Sequence, residues 1–269
     1  MWVDFSPAML SESLRRETLS RERIQLFSIS GIPEIEKGTD LVSVFLNCIK
    51  KSNLALQDRD ILVITHSIVS KAEGRVVHCN SVKVSRRAKE IAESNGFDPV
   101  HVELALRESR TVIREQGVLI TETNTGLICN FSGIDRSNAP PDSYILLPQN
   151  PDDSAATILR TLEKKTGLEL AVIITDTQGR PWREGSVNIA LGCAGINAFK
   201  YNRGKLDIYG RPLQRSTVCQ IDEISSAAEP LMGQADEGTP VAIVRGYEYN
   251  KGSEAAQNVV RAKEEDLFR

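Results

Sequence analysis

The stretch LAVIITDTQGRPWREG, residues 170–185, contains the clearest structural signal in the chain. It opens with an apolar run that lacks polar alternation, which predicts a buried central strand over residues 170–174. A carboxylate and a hydroxyl follow, Asp176 and Thr177, and a turn then leads to Arg180 and Arg183 on either side of a tryptophan. We therefore expect a buried strand whose end presents acidic and basic groups at the edge of a sheet.

Similar patterns elsewhere predict an irregular alternation of helices and strands. Periodic apolar residues with capping signals predict helices at residues 40–50, 85–95, 99–110, 154–166 and 221–232. Apolar runs predict strands at residues 60–69, 111–113, 118–123, 126–131, 186–193, 216–220 and 240–245. The expected fold class is therefore α/β with α+β mixing.

Composition is typical of a globular protein with a substantial core. The 269 residues are 41% apolar and 26% charged, and the net charge of -3 does not indicate a nucleic acid or a membrane as partner. No apolar run approaches the roughly 20 residues of a membrane helix, and the N-terminus lacks the order of a signal peptide. The five cysteines are widely spaced without a CxxC pair, which favours reduced, structural thiols and a cytoplasmic location.

The sequence suggests three segments. Residues 1–26 are a polar N-terminal extension with helical character, and residues 247–269 are a polar tail that we expect to be helical. Residues 27–246 lie between them and contain the predicted helices and strands of the core. The proline-rich stretch at residues 139–151 is a candidate junction between two subdomains.

Standard catalytic motifs are absent from the sequence. It contains neither the P-loop pattern GxxxxGK[ST] nor GxGxxG, HExxH or GxSxG. The chain has only three histidines, which disfavours a histidine-rich zinc site. A metal would therefore be held by oxygen ligands, which favours magnesium or manganese.

Four polar segments border predicted buried strands. They are SGIPEIEKGTDL at residues 30–41, THSIVSKAEGR at residues 65–75, SGIDRSN at residues 132–138 and the stretch quoted above. Ligands of open sheets bind beyond the strand ends, so these segments are expected to meet at one pocket.

Each of these signals also has a purely structural interpretation. Asp135 and Asn138 are typical of turns, and Asp176 with Thr177 is typical of a strand end. Lys71 and the arginines suit a solvated, ion-paired surface equally well. Spacing alone leaves the function open.

Taken together and in order, these motifs resemble the coenzyme F420-0:L-glutamate ligase family, the γ-glutamyl ligases. The resemblance covers about residues 27–246. The motifs that carry it are SGIPEIEKGTDL, DILVITHSIVSKAEGR, FSGIDRSN, LLPQNPDDSA, VIITDTQGRPWREGSVNIALGCAGI and DIYGRPLQRSTVCQIDEISSAAEPLMGQADEGTPVAIVRG.

The resemblance implies a GTP-dependent ligase that joins L-glutamate to the carboxylate of coenzyme F420-0, a deazaflavin, and then adds γ-linked glutamates. It also implies two divalent cations, Mg²⁺ or Mn²⁺, stimulation by K⁺, and release of GDP and phosphate. The implied fold has no P-loop. The implied assembly is an intertwined homodimer whose nucleotide pocket lies near the dimer interface.

Carried over by position, the metal ligands are Asp135, Asp176 and Thr177. Gln234 stands where some members have a metal-binding glutamate, and Asp236 is the alternative ligand. The nucleotide-binding residues implied in the same way are Gly31, Ile32, Pro33, Glu34, Thr65, His66, Lys71, Asn138, Pro230, Leu231, Met232, Gly233, Gln234, Ala235, Asp236 and Glu237.

Activating a carboxylate with a triphosphate gathers several anions in one place, so cations must surround them. We therefore expect Lys71, Arg180 and Arg183 to act with Asp135 and Asp176 in catalysis, facing phosphate or carboxylate. Two alternatives stay open. One is a γ-glutamyl ligase with another carboxylate acceptor, and the other is a homologue that binds GTP and metal without turnover.

Overall fold

The computed structural model describes residues 23–268, and the mixed α/β class predicted from the sequence is confirmed. These residues contain twelve strands, β1 to β12, at Gln25–Ser28, Ile61–Thr65, Val76–His78, Ser109–Arg114, Ile120–Thr123, Ile128–Asn130, Ser143–Ile145, Ala171–Arg180, Arg183–Ala194, Phe199–Tyr201, Thr217–Cys219 and Val241–Arg245. They also contain six α-helices, α1 to α6, at Leu41–Lys51, His66–Ala72, Arg86–Asn95, Pro99–Arg107, Pro151–Thr166 and Gln220–Met232.

A five-stranded sheet forms the centre of the molecule, in the order β1-β12-β2-β8-β9. The pair β2–β8 is parallel and the other pairs are antiparallel. Alternate residues of β2 face opposite sides, so Leu62 and Ile64 pack with α1, α2 and α5 while Ile61 and Val63 pack with α6. Both faces are buried, which is why these strands are apolar without alternation.

A smaller lobe is inserted between β3 and β7. It contains α3, α4 and the three-stranded sheet β4-β5-β6, and it has its own apolar core around Ile91, Val102, Leu119 and Tyr144. The antiparallel pair β3–β7 closes the insertion. The chain leaves the lobe through Ser143–Ile145, inside the segment where the sequence suggests a junction.

Several chain segments meet at one edge of the central sheet. Thr65 ends β2 opposite Thr175 of β8, and the Thr65 N–H donates to the carbonyl of Pro240, 3.0 Å away, just before β12. At the end of β1, the Ile29 N–H donates to the Val241 carbonyl at 2.8 Å. The segments after β1, after β2 and before β12 therefore lie side by side.

Two predicted strand boundaries are wrong. β8 does not stop at residue 174 but continues to Arg180, paired with β9 in a long hairpin with Asp176 opposite Ile189. The strand becomes polar at Asp176 because only the part of the sheet that is covered by helices needs apolar side chains. This change of polarity was mistaken for the end of the strand. The strand predicted over residues 60–69 ends at Thr65, and α2 follows at once, burying Ile68 and Val69 on its inner face.

The predicted chain ends also need correction. Residues 1–22 of the predicted extension lie outside the described residues, but Gln25 and Leu26 belong to β1. Residues 247–268 of the tail form no α-helix; their helical turns are short 3-10 segments at Ala256–Val259 and Lys263–Glu265. The Asp152 carboxylate at the start of α5 accepts the Ala256 N–H at 2.8 Å, which holds the segment in an irregular path.

All five cysteines carry free thiols, as the sequence predicts. Burial raises the pKa of the Cys129, Cys193 and Cys219 thiols to about 12, so they are not activated nucleophiles. No helix within residues 23–268 is long and apolar enough to cross a bilayer.

Candidate functional site

A cavity of about 600 Å³ lies where the sheet edge meets the smaller lobe. It is lined by residues from all four segments that the sequence singles out. The predicted site residues that line it are Ile32, Pro33, Glu34, Thr65, His66, Lys71, Asp135, Asn138, Asp176, Thr177, Met232, Gly233, Gln234, Ala235, Asp236 and Glu237. Gly31, Pro230, Leu231, Arg180 and Arg183 are not among the lining residues.

A left-handed turn in the lobe leads the chain to Asp135. Phe131, Ser132 and Gly133 have φ angles of 44°, 54° and 67°. This conformation is unfavourable for the first two residues, so the surroundings must hold it in place. Ser132 is buried; its N–H donates to Thr121 Oγ1 at 2.9 Å and its hydroxyl to the Ala105 carbonyl at 2.8 Å.

Hydrogen bonds fix both the main chain and the side chain of Asp135. Its main chain exchanges two hydrogen bonds with Ile145 of β7, at 2.9 and 2.8 Å. Its carboxylate oxygens accept the Ser137 N–H and the Ser137 hydroxyl, both at 2.7 Å. The side chain is thereby held at the cavity wall.

Asp176 and Thr177 enter the cavity from β8, beyond the point where the sheet is covered. One Asp176 carboxylate oxygen accepts the Thr177 N–H at 2.7 Å. The Thr177 hydroxyl donates to Oδ1 of Asn188 on β9, at 2.9 Å. Because that hydrogen is used by Asn188, the lone pairs of the Thr177 oxygen remain available to a ligand.

His66, the first residue of α2, lies beside the Asp176 carboxylate. It is almost fully buried, and its Nε2 lies 3.4 Å from Oδ1 of Asp176. Burial alone would lower the pKa of His66, but the charges of Asp176 and Asp135 together outweigh burial and raise it above the usual value. Asp135, Asp176 and His66 all line the same cavity.

Lys71, also on α2, is the cation of the cavity wall. Its side chain is only 7% exposed, and its Nζ forms an ion pair of 2.6 Å with Oε1 of Glu34. Glu34 belongs to the segment after β1, and its side chain is 69% exposed. The pair joins a buried positive charge to a carboxylate at the cavity mouth.

The segment between α6 and β12 closes the cavity from the opposite side. The Gln234 amide nitrogen donates to Oε1 of Glu229 at 3.0 Å, so its amide is turned toward α6. The Asn138 amide nitrogen donates to the Ala235 carbonyl at 3.2 Å and connects the lobe to this segment. The carboxylates of Asp236 and Glu237 also line the cavity.

The structure does not bring Arg180 and Arg183 to the cavity. They flank the exposed tip of the β8–β9 hairpin, and Nη2 of Arg180 donates to the Glu184 carbonyl at 3.0 Å. Trp182 between them is 76% exposed, and its ring contacts Phe268. The sequence interpretation assumed that β8 ends at the sheet edge, whereas the extended hairpin carries the arginines away from it.

The cavity is strongly acidic. Its ionisable lining side chains, among the described residues, are the carboxylates of Glu34, Asp135, Asp176, Asp236 and Glu237, the ammonium group of Lys71 and the imidazole of His66. A multiply charged anion would be repelled by this lining unless cations accompanied it.

The donor set of the cavity suits a magnesium-like ion. Within residues 23–268, no three His, Cys, Asp or Glu side chains are arranged to hold a metal by themselves. Mg²⁺ is usually bound through one or two carboxylates together with waters and substrate phosphates. Asp135, Asp176 and the Thr177 hydroxyl fit that pattern, and an all-protein zinc site does not.

Sequence reasoning missed residues that support the site indirectly. Asn188 holds the Thr177 hydroxyl, and Ser137 holds the Asp135 carboxylate. Thr239 donates to the Leu231 carbonyl at 2.8 Å and fastens the segment before β12. The pairing of Thr177 with Asn188 across the β8–β9 hairpin is the signal that would have identified Asn188 as a site residue. That register can be predicted only if the full length of β8 is known.

The comparisons with known proteins agree with one another. The model of the F420-0:Gamma-glutamyl ligase family matches residues 31–246. A protein of Methanothermobacter thermautotrophicus named coenzyme F420:L-glutamate ligase is 42% identical over 249 residues, which is 91% of this chain and 99% of that protein. A protein of the same name from Methanopyrus kandleri is 41% identical over 241 residues, covering 88% and 94%. A third, from Methanocaldococcus jannaschii, is 41% identical over 215 residues, covering 80% and 86%.

The matched region includes all the segments that line the cavity, from the loop after β1 to the segment before β12. The family match also spans the smaller lobe that carries Asp135. The chain therefore belongs to the F420-0:gamma-glutamyl ligase family.

Proposed function

We propose that this ligase joins the amine of L-glutamate to the carboxylate of coenzyme F420-0, with GTP as the energy source. The observation that carries the proposal is the acidic cavity lined by Asp135, Asp176 and Thr177 together with the ammonium group of Lys71. The names of the similar proteins supply the substrate class.

The charges of the cavity support a nucleotide accompanied by divalent cations. In this proposal Asp135, Asp176 and the Thr177 hydroxyl hold Mg²⁺ or Mn²⁺, with Asp236 or Gln234 at a second ion. Bound there, the ions would supply positive charge that neutralises the triphosphate and polarises its terminal phosphorus. Lys71 binds a phosphate oxygen, and Asn138 with the segments at residues 31–34 and 230–237 surrounds the nucleotide.

The proposed reaction has two steps, phosphorylation of the acceptor carboxylate and displacement of phosphate by the glutamate amine. The acceptor carboxylate oxygen attacks the γ-phosphorus of GTP, a new P–O bond forms, and the bond to the β-phosphate breaks with its electron pair leaving on GDP. The glutamate nitrogen then attacks the carbonyl carbon of the acyl phosphate, forming the amide and expelling phosphate. The amine proton leaves to the departing phosphate or to water.

The protein's part in this proposal is to position and to stabilise charge. Hydrogen bonds with Ser137 and Ile145 fix Asp135, and a hydrogen bond with Thr177 fixes Asp176. The two carboxylates therefore need to move little when the charged substrates enter. His66 is held beside Asp176 and helps to orient that carboxylate.

Other parts of the proposal rest on the family resemblance. We propose that K⁺ stimulates the reaction, that the chain forms an intertwined homodimer and that it acts in the cytoplasm. The exposed apolar side chains of the segment between β10 and β11, such as Ile208 at 91% exposure, suit a protein contact.

The test is a phosphate-release assay with GTP, Mn²⁺ and L-glutamate, with and without coenzyme F420-0. The expected result is release of GDP and phosphate that requires both glutamate and the deazaflavin, with the glutamylated product seen by mass spectrometry. Turnover only with a different carboxylate acceptor, or no turnover with any acceptor, contradicts the proposal. Replacing GTP by ATP tests the choice of nucleotide.

A further inference from the structure

The Lys71–Glu34 pair joins two groups in very different surroundings. The Lys71 side chain is 7% exposed and that of Glu34 is 69% exposed. A buried ammonium group that loses its counter-ion is strongly disfavoured, whereas an exposed carboxylate is well solvated on its own. Lys71 therefore needs an anion, and Glu34 does not need Lys71.

Glu34 can leave this contact without a change in the backbone. Its neighbour Ile35 is 3% exposed and packs in the main core, and the Gly38 N–H donates to the Ala72 carbonyl at 2.8 Å. These anchors hold the loop against α2. Rotation of the Glu34 side chain alone would expose the Lys71 ammonium to the cavity.

The other well-fixed carboxylates of the cavity have different partners. Asp135 accepts two hydrogen bonds from Ser137, and Asp176 accepts one from Thr177 and faces His66. If Glu34 turns away, an anion from outside is the natural replacement.

We propose that Glu34 is a built-in competing anion, which neutralises Lys71 in the empty cavity and is displaced when a phosphate group of the substrate binds. This inference rests on the proposed function, because it concerns the anion site of the same cavity.

A competitor of fixed strength lowers the affinity of every ligand that must displace it by the same factor. A small anion held mainly by Lys71 then binds too weakly to occupy the cavity. A triphosphate with its cations retains enough additional contacts to bind. Glu34 thus lowers the absolute affinity of the anion site without changing the ratio between ligands, so that a small phosphate binds too weakly to block the site while a triphosphate still binds.

The experiment compares Glu34→Gln with Glu36→Gln by calorimetric titration. The probes are inorganic phosphate and inorganic tripolyphosphate, each with Mg²⁺. The Glu34→Gln variant is expected to bind both probes about fivefold more tightly, because an exposed carboxylate competitor is removed. Glu36 is an exposed carboxylate of the same loop and does not line the cavity, so its variant is expected to match the wild type.

Lys71→Met is the second arm of the test. In that background the Glu34→Gln change is expected to have no further effect on probe binding, because the competition needs the ammonium group. Equal or weaker binding by Glu34→Gln than by wild type overturns the proposal, as does absence of probe binding in both. The probes contain no guanosine, no glutamate and no deazaflavin. Failure of the ligase assay with a fivefold gain here therefore disproves the proposed reaction and leaves the competing anion standing.

Discussion

The cavity and the hairpin tip lie on the same two strands, yet their charges are arranged in opposite ways. At the cavity, the Asp176 carboxylate is fixed by neighbours and faces a space shared with Asp135. At the tip, Arg180 and Arg183 flank an exposed tryptophan, and the Arg180 guanidinium is bound to a carbonyl of its own hairpin. Asp135 and Asp176 are half-buried at the cavity wall, whereas the two arginines flank an exposed turn outside it. In the proposed reaction, neutralisation of a bound anion would therefore depend on metal ions and Lys71 rather than on the hairpin arginines.

The largest expected effect concerns the cavity. Asp176→Asn should lower kcat/KM of the ligase by about a thousandfold, because an amide holds a divalent cation much less well than a carboxylate does. The measurement is steady-state phosphate release with Mn²⁺. Asp142→Asn is the matched control, since Asp142 is an exposed carboxylate of the lobe that does not line the cavity. Activity near wild type in Asp176→Asn would remove the difference between the two regions.

An intermediate effect concerns the support beneath Asp135. The His101 ring stacks between Phe131 and Tyr144, with ring centroids 4.0 and 4.8 Å away, and its Nε2 lies 3.1 Å from the Ile134 carbonyl. Burial lowers the pKa of His101 below its usual 6.5, and the hydrogen bond to Ile134 offsets this only in part. The folded protein therefore keeps His101 neutral at a pH where the unfolded chain is protonated.

The sign of the pH dependence follows. The unfolded chain binds more protons, so the His101 contribution to the free energy of unfolding is fully present above pH 6.5. It is lost as the pH falls from 6.5 toward the lowered pKa of the folded state. Urea denaturation from pH 7.5 to 5 should show a smaller acid loss in His101→Phe than in wild type. An identical pH slope in the two proteins would contradict the stated surroundings of His101.

The smallest expected effect concerns the tip. Arg180→Ala with Arg183→Ala should change kcat/KM by less than about twofold, because exposed ion pairs and hydrogen bonds contribute little. The same phosphate-release assay measures it, with Arg114→Ala on the exposed β4 strand of the lobe as the control. A loss above about tenfold would show that the tip arginines reach a substrate, in this copy or a second one, and would abolish the contrast.

The sequence predicts the central features of the fold because their causes are local. α1 begins after Asp40, whose carboxylate accepts the Ser43 N–H, and α3 begins after Ser85, whose hydroxyl accepts the Ala88 N–H. Both caps are visible as residue types before apolar periodicity. The apolar runs of β2 and β12 likewise identify strands covered on both faces.

The errors arise where a distant partner decides the structure. Asp176 and Thr177 remain in a strand because β9 pairs with them. Residues 66–72 form a helix because the helical conformation packs the side chains of Ile68 and Val69 into the main core. The tail avoids an α-helix because Asp152, far away in the sequence, binds its backbone. In each case the decisive contact spans many residues, and local propensity does not report it.

The candidate site follows the same division. The four polar segments could be placed together, because each borders an apolar run and ligands of open sheets bind beyond the strand ends. The position of the arginines could not, because it depends on where the hairpin turns. The Lys71–Glu34 pair also escaped prediction, as neither residue indicates from sequence that the other is within reach.

The most direct test of the central claim is Mn²⁺ binding followed by electron paramagnetic resonance, in the presence of GTP and without the acceptor. We expect Asp135→Asn and Asp176→Asn each to weaken Mn²⁺ binding by at least about tenfold, while Asp142→Asn and the double arginine variant match the wild type. Wild-type Mn²⁺ affinity in both carboxylate variants would contradict the claim that these two acids hold the cations of the cavity.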